Sequence, residues 1–366
     1  MRISTQAAAS TPPADETRLG EICLTKPRSR AGLAGLALLL APLATASAAT
    51  LDVGPDRTLK APSEAAKIAH DGDIVRIDPG EYYDCAFWRA NNLTIEGTGD
   101  GVVLTDVACA GKASFVISGN NATVRRLTFT RIRVGDGNGA GIRAEGRNLT
   151  VEHSRFINNQ VGLLAGDLPG SSIVIRDSEF TDNGACNDRT CVGAIIAGQG
   201  ALLEITGSHF SATKGGHQVV SDADALVVTN TVIEDGPQGT SSYLIQHGGP
   251  GSVTLQANTL EKGRNTTNRR AAVLLDAPMG HTGPLLFRAN RFINDTSAPG
   301  VFVVNWTSGD PVMQDNQVQS PRDTELTDAG RLRHRLIVLA QQTKALLRHL
   351  AGLLLHPLFD LLHIKI

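Results

Sequence analysis

The segment VEHSRFINNQVGLLAG, residues 151–166, decides the fold because its pattern recurs along the chain. It joins a β-branched strand, a Ser, a Phe, a polar turn and a second apolar strand. Alignment on the position of Phe156 gives eight apolar residues at irregular intervals of 23–32 residues: Phe129, Phe156, Phe180, Phe210, Ile233, Leu260, Phe292 and Val318. A period of this size, made of strands without helices, predicts a solenoid of stacked coils, whereas a propeller blade needs about 40 residues or more.

A polar residue stands two positions before each of the last seven aligned residues, and the set is Ser154, Ser178, Ser208, Thr231, Asn258, Asn290 and Asn316. Stacked coils place equivalent residues about 4.8 Å apart in parallel strands. Polar side chains at that spacing hydrogen-bond to the coils above and below and to the turn backbone. We therefore predict a structural ladder and not seven separate sites.

The composition of the chain agrees with a fold made of strands. Its 366 residues include 38 glycines and only 4% aromatic residues, which favours short strands and tight turns. The length is sufficient for one large domain or two ordinary ones. A formal net charge of −2 gives no general attraction to nucleic acid, so we expect no nucleic-acid partner.

Residues 1–48 have the order of a secretory signal peptide with a segment preceding it. Lys26, Arg28 and Arg30 come before the apolar run GLAGLALLLAPLA, and the small residues Ala46 and Ala48 follow it. The run is short and contains a proline, so it is a poor membrane span, although a retained anchor is the alternative. We expect a secreted or periplasmic protein.

The repeats resemble the right-handed parallel β-helix of the pectin-lyase-like superfamily over residues 50–320. The segment SEAAKIAHDGDIVRIDPGEYYD is similar to the usual entry into that fold: a short helix from Ser63 to His70, a Gly-Asp turn, and a strand ending at Gly80. A helix there would cap the open end of the coil stack. The resemblance implies an all-β, single-stranded solenoid with an N-terminal cap helix. The superfamily contains lyases, hydrolases, epimerases and adhesins, so the fold does not fix the activity.

Four cysteines follow the signal segment, and an even number in an exported protein suggests two disulfides. Cys85 and Cys109 are 24 residues apart, about one coil, so they stack within disulfide reach on neighbouring coils. Cys186 and Cys191 bracket the loop NDRT. No His or further Cys lies near enough to them for a zinc site, which favours a short disulfide clip.

The second strands of the repeats predict where a groove would lie. Residues such as Leu163, Ala165 and Val273 are expected to point inward. One outward row is predicted to be mostly apolar and to need a cover: Arg143, Leu164, Ile196, Val220, Ile245, Leu274 and Phe302. The next row, at the strand ends, is predicted to be Glu145, Gly166, Gly198, Asp222, His247, Asp276 and Val304.

Asp222, His247 and Asp276 fall on three successive coils of this row and form the candidate catalytic site. Two carboxylates and a histidine suit general acid–base chemistry or, alternatively, the binding of a metal ion. The alternative without a function is that these residues are simply the polar turns at the strand ends. The candidate substrate-binding residues nearby are His217, Tyr243, Arg269 and Arg270, and the arginines suit a uronate carboxylate. No cofactor motif is present, and we expect no cofactor and no resident metal.

The tail, residues 323–366, is predicted to form an amphipathic helix. Its apolar residues recur at helical spacing, at Leu332, Leu336, Leu339, Leu346, Leu350 and Leu353, and Pro357 should end or kink it. A basic amphipathic helix suits a membrane surface. The alternatives within the molecule are a cap on the last coil or a cover over the apolar row.

The resemblance implies an exported protein that binds or modifies an acidic or cell-envelope polysaccharide, as a lyase, an epimerase or a hydrolase. The sequence departs from the known subfamilies: Asp222 and His247-Gly248 resemble two polygalacturonase motifs, but the other motifs of that group are missing. The Asp-Pro-His-Asp motif of alginate epimerases and the calcium-binding set of pectate lyases are missing too. A non-catalytic envelope or adhesion module is therefore the competing hypothesis. The sequence leaves the oligomeric state open.

Overall fold

A computed structural model describes residues 48–188, 190–277, 282–320 and 324–327, and within them the chain winds through three parallel β-sheets. Each coil of about ten contributes one strand to each sheet in the order A, B, C. A parallel β-solenoid is thus confirmed. The repeat pattern predicted only two strands per coil, with the aligned apolar residue between them, whereas Phe156 lies on a third strand, Arg155–Ile157, in sheet B.

The strands of sheet A are Thr50–Val53, Ile74–Ile77, Thr94–Gly97, Thr123–Arg125, Leu149–Glu152, Ser172–Arg176, Leu202–Thr206, Ala225–Thr229, Ser252–Gln256, Leu285–Arg288 and Pro311–Gln314. The strands of sheet B are Gly80–Tyr82, Val102–Thr105, Thr128–Thr130, Arg155–Ile157, Glu179–Thr181, His209–Ser211, Val232–Glu234, Thr259–Lys262, Arg291–Asn294 and Gln317–Gln319. The strands of sheet C are Ala86–Trp88, Ala113–Ile117, Ala140–Ala144, Val161–Ala165, Ile195–Ala197, Val219–Ser221, Ile245–His247, Ala271–Leu275, Gly300–Asn305 and Thr324–Thr327.

The interior is a column of stacked apolar side chains. The rings of Phe129, Phe156, Phe180 and Phe210 succeed one another with centroids 4.6–5.1 Å apart and planes within 13° of parallel. Ile233, Leu260 and Phe292 continue the column in register. Every one of these side chains is almost fully buried, so seven of the eight residues aligned in the sequence supply the core, while the last, Val318, is 37% exposed.

The polar ladder predicted from the sequence is confirmed at the turn between sheets A and B. The backbone N–H of each ladder residue donates to the side-chain oxygen of the next one, over 3.0–3.3 Å, from Ser154 to Asn316. The residue before each ladder position has φ between +47° and +61°. Gly, Asn, Asp and His adopt this left-handed conformation most readily, and they make up all but the two alanines of the set: His153, Asp177, Gly207, Asn230, Ala257, Ala289 and Asp315.

A short helix, Pro62–Ile68, lies close to the boundaries predicted for the N-terminal helix. Proline occupies its first turn, where the missing N–H costs nothing, and Ala65 is buried in the core. The Glu64 carboxylate accepts the backbone N–H of Lys60 at 2.6 Å and so fixes the entry into the helix. Its function as a cap on the coil stack stays a prediction.

Both predicted disulfides are confirmed. Cys85–Cys109 joins neighbouring coils ahead of the first two sheet C strands, with Cα atoms 5.4 Å apart. Cys186–Cys191 closes a small antiparallel hairpin, Ala185–Cys186 with Cys191–Val192. This hairpin stands in the loop between sheets B and C, on the side where the longest insertions occur.

One boundary of the predicted tail is wrong. Residues Thr324–Thr327 form a strand that pairs with Gly300–Asn305 and extends sheet C, because the backbone edge of the last coil offers a parallel partner. The rest of the predicted amphipathic helix lies outside the described residues, as do the predicted signal peptide and the segment before it. Within the described part of the chain, no helix is long and apolar enough to span a membrane.

Candidate functional site

Sheet C determines where the candidate catalytic residues lie, and its register corrects one of them. Ser221 pairs with His247, and His247 pairs with Leu275. These three positions point into the coil, and His247 is 0% exposed. The predicted place of His247 at the strand end, between Asp222 and Asp276, is therefore wrong.

The error has a physical origin in the stretch Tyr243–His247. Leu244 and Ile245 are both 0% exposed, so the apolar pattern runs through two consecutive residues and hides the phase of the strand. A shift of one residue exchanges the inward and outward sides of a strand. Ile245 and Phe302, predicted to point outward, therefore lie in the core, and Gln246 and Val304 take their places in the outward row.

The corrected row at the ends of the sheet C strands is Gly166, Gly198, Asp222, Gly248, Asp276 and Trp306. Asp222 and Asp276 are two coils apart with a glycine between them. A Cβ on Gly248 would stand 2.5 Å from Oδ1 of Asp222 and 3.6 Å from Oδ1 of Asp276. The two carboxyl groups therefore face one another across the space that Gly248 leaves open.

These two carboxyl groups line a groove with a volume of about 500 Å³. The described residues that line it are Pro169, Gln199, Gly200, Asp222, Asp224, Gln246, Gly248, Pro250, Asp276 and Ala277. The groove lies where sheet C turns toward sheet A and spans several coils. A groove that crosses coils suits an extended ligand better than a compact one.

Hydrogen bonding treats the two oxygens of Asp276 differently. Oδ2 accepts a hydrogen bond of 2.8 Å from the side chain of Gln246, which projects from the outward row. Oδ1 is buried and has no hydrogen-bond partner among the described residues. Gln246 thus holds the carboxyl group so that its unsatisfied oxygen faces Asp222.

Burial and like charge act on both carboxyl groups. Burial raises the pKa of Asp222, and the negative charge of Asp167 raises it further. Burial also raises the pKa of Asp276; the hydrogen bond from Gln246 opposes this rise, and the charge of Asp222 adds to it. Burial and like charge therefore both make ionisation of these two carboxyl groups less favourable than in water.

The four predicted substrate-binding residues lie at the other edge of sheet C, and only some of them approach the groove. The Tyr243 ring packs against the apolar cluster that contains Leu274 and Val304. Burial raises the pKa of Tyr243, which also feels the opposing charges of Arg270 and Asp276. Tyr243 is therefore close enough to Asp276 to feel its charge, whereas the charge of Arg270 acts on Tyr243.

His217 and Arg269 make other contacts. Nδ1 of His217 accepts the backbone N–H of Tyr243 at 3.0 Å, so the proton of the neutral ring is on Nε2. Burial, helped by the charge of Lys262, lowers the pKa of His217 to about 4, which keeps the ring neutral near pH 7. The guanidinium of Arg269 donates to Oγ of Ser297 at 3.3 Å on an exposed loop.

A buried charged network that the sequence did not reveal lies beneath the loops between sheets B and C. Lys262 is 1% exposed, and its Nζ lies 3.3 Å from Oδ2 of Asp235 and donates to the carbonyl of Ser242. Oδ1 of Asp235 accepts a hydrogen bond of 2.5 Å from Ser241. Lys262 lies two residues after the buried Leu260 and so has the inward phase of its strand, but a lysine in a sequence gives no signal of burial. We assign the network to holding the loops between sheets B and C.

Metal binding by the predicted cluster was the alternative to acid–base chemistry. Within the described residues, no three His, Cys, Asp or Glu side chains are arranged to hold a metal ion. The withdrawal of His247 into the core removes the only nitrogen ligand of the predicted cluster. We therefore derive no chemistry through a metal.

Comparison with protein families places the chain. A family model described as the right-handed β-helix region matches residues 82–233 and 113–277. Together these matches cover more than half of the chain, which therefore belongs to the right-handed β-helix family. This confirms the handedness of the solenoid and the resemblance to pectin-lyase-like proteins. A comparison with curated proteins gives no match.

Several solved structures are similar to the chain at low identity. A PL6 family alginate lyase, AlyGC, is 17% identical with a TM-score of 0.48, over 75% of this chain and 40% of that one. Pectin methylesterase PemA from Erwinia chrysanthemi is 10% identical with a TM-score of 0.42, over 74% and 92%. Pectate lyase Pel9A is 13% identical with a TM-score of 0.44, over 77% and 79%. The chain thus spans well under half the length of the alginate lyase.

Proposed function

We propose that the groove binds a polysaccharide and that Asp222 and Asp276 act on it as an acid–base pair. The observation that carries this proposal is the state of Asp276: its Oδ1 is buried, accepts no hydrogen bond from the described residues and faces Asp222 across Gly248. A carboxyl oxygen left unsatisfied is costly unless a proton or a ligand satisfies it. Two partly buried carboxyl groups that face each other destabilise the folded protein, and such groups are found most often at functional sites.

Hydrolysis of a glycosidic bond is the reaction that two carboxyl groups of this kind support best. The protonated member gives its proton to the departing glycosidic oxygen as the bond from that oxygen to the anomeric carbon breaks. The ionised member either takes a proton from the attacking water or attacks the anomeric carbon itself. Lyase and epimerase chemistry would need a base and a group that neutralises a uronate, and no basic side chain is among the described lining residues.

Gln246 is the positioning residue of the pair. By donating to Oδ2 of Asp276 it fixes the rotation of the carboxyl group and leaves Oδ1 for the proton. The protein is proposed to work outside the cytoplasm, in the periplasm or as a secreted protein, because its two disulfides suit an oxidising compartment.

The test is polysaccharide turnover by purified variants. Asp222→Asn and Asp276→Asn keep the shape of the side chain but remove the acid–base function. We expect each to lower kcat at least 100-fold, which is the usual contribution of a general acid or base. Asp177→Asn is the matched control, since its carboxylate is exposed on the turn between sheets A and B, and it should retain turnover.

Two results would contradict the proposal. Full turnover by both Asn variants would remove the pair from the chemistry. Polysaccharide binding without turnover by the wild type would instead support the competing hypothesis, a non-catalytic envelope or adhesion module.

A further inference from the structure

We propose that the groove takes sugar units that carry no carboxylate, and that Trp306 supplies the platform for one of their rings. The inference rests on the proposed function and narrows its substrate class. The resemblance implied an acidic or cell-envelope polysaccharide, and the inference departs from the acidic kind. Two independent observations support it: the charge of the groove lining, and the aromatic residue that follows Asp276 in the row of strand ends.

The described lining of the groove is acidic. Asp222, Asp224 and Asp276 line it, and the described lining residues include no Lys, Arg or His. Asp167 stands close enough for its charge to act on Asp222. The influences on the two facing carboxyl groups are burial, neighbouring carboxylates and hydrogen bonds, with no cation among them.

Arg147 and Arg270 lie outside the described lining of the groove. Arg147 donates a hydrogen bond of 2.6 Å to the carbonyl of Pro169, at the far rim. The charge of Arg270 acts on Tyr243 at the other edge of sheet C. A uronate placed between Asp222 and Asp276 would therefore meet like charges in a partly buried space, where repulsion is screened less than in bulk water.

Trp306 occupies the position next to Asp276 in the row of strand ends, because Leu275 pairs with Asn305 in the strands that precede them. Its side chain is partly exposed and packs with Tyr243 on the apolar cluster of Leu274 and Val304. Packing on a buried apolar surface fixes the indole ring. A fixed aromatic face binds the C–H face of an uncharged sugar ring well, because both surfaces are apolar while their edges remain polar.

The first experiment measures which polysaccharides the wild-type protein binds, with neutral glucans, mannans and xylans set against galacturonan and alginate. We expect the best ligand to be neutral and every uronan to bind at least tenfold more weakly. Added NaCl should narrow that gap by strengthening uronan binding, since salt screens repulsion. A uronan as the tightest ligand, with binding that weakens in salt, would overturn the inference.

The second experiment uses the best neutral ligand and the intrinsic fluorescence of tryptophan. The chain has two Trp residues, and Trp88 is 1% exposed in the core, so a ligand-induced change reports Trp306. We expect Trp306→Ala to abolish that change and to raise KM at least tenfold with little loss of kcat, and Trp306→Phe to restore most of the affinity. Tyr83→Ala, at an aromatic residue that is 63% exposed, is the control and should bind like the wild type.

The outcomes separate the two levels of the proposal. Wild-type affinity in Trp306→Ala, with turnover still dependent on Asp222 and Asp276, would overturn the platform and leave the proposed function standing. Binding of no polysaccharide by the wild type would overturn both.

Discussion

At the scale of the residue, the candidate site depends on a single glycine. Gly248 occupies the position in the row of strand ends that the sequence suggested for His247, and its missing side chain creates the space in which Asp222 and Asp276 face each other. Both acidic residues were found from the sequence because each directly follows a residue that points inward as expected, Ser221 or Leu275. His247 was misplaced because the apolar pair Leu244-Ile245 before it obscures the inward phase of its strand.

Filling the space at Gly248 should disable the pair. A Cβ there would lie 2.5 Å from Oδ1 of Asp222, so Gly248→Ala must push that carboxyl group away from Asp276. We expect kcat/KM to fall at least tenfold, a loss of about 1.4 kcal/mol of transition-state stabilisation. The melting temperature should change little, because the atom displaced is the end of a flexible side chain.

Gly166→Ala is the matched control for this change. Gly166 occupies the same position in the row, and a Cβ there would meet nothing within 4 Å. If Gly166→Ala lowered kcat/KM as much as Gly248→Ala, the loss would come from any alanine in the row of strand ends and not from the displaced carboxyl group of Asp222.

At the scale of the element, the turn between sheets A and B shows what the repeat could predict. The ladder and the aromatic column were both visible in the sequence, because each needs one kind of residue at one position of every coil. The separate sheet B strand was not visible, since its three residues are joined to sheet A by a two-residue turn. The left-handed residue of that turn is Gly, Asn, Asp or His in five of the seven ladder coils, a preference that marks a turn but not the strand that follows it.

Breaking one step of the ladder should be costly. Oδ1 of Asn258 accepts the backbone N–H of Thr231 at 3.0 Å, and its Nδ2 donates to the carbonyl of Val228 at 2.8 Å. Asn258→Ala leaves both backbone groups buried and unpaired, so we expect the free energy of unfolding to fall by about 3 kcal/mol. Chemical denaturation of the variant and the wild type measures this difference.

Two variants bracket that expectation. Asn258→Ser keeps a hydroxyl acceptor like that of Ser208, which accepts the backbone N–H of Ser178 at 3.2 Å, so it should lose less stability than Asn258→Ala. Gln256→Ala, at an exposed position of the same coil, should stay within about 0.5 kcal/mol of the wild type. A loss at Asn258→Ala no larger than that at Gln256→Ala would show that the ladder contributes nothing.

At the scale of the whole molecule, fold and function separate. The period of the repeats is enough to predict a solenoid, and membership of the right-handed β-helix family confirms it. The function depends on which residues project at one edge of sheet C over a few coils. That depends on the register of single strands and on loop packing such as the buried Lys262–Asp235 network, neither of which a repeat pattern specifies.

The central claim is that Asp222 and Asp276 form an interacting acid–base pair, and the most direct test is an NMR titration of their ¹³C-labelled carboxyl groups. In the wild type, the pKa of Asp276 should lie above the usual value of about 3.9, because burial and the charge of Asp222 both raise it. In Asp222→Asn, the pKa of Asp276 should fall, since the like charge is gone. An Asp276 pKa at the usual value in the wild type, unchanged in the variant, would contradict the account.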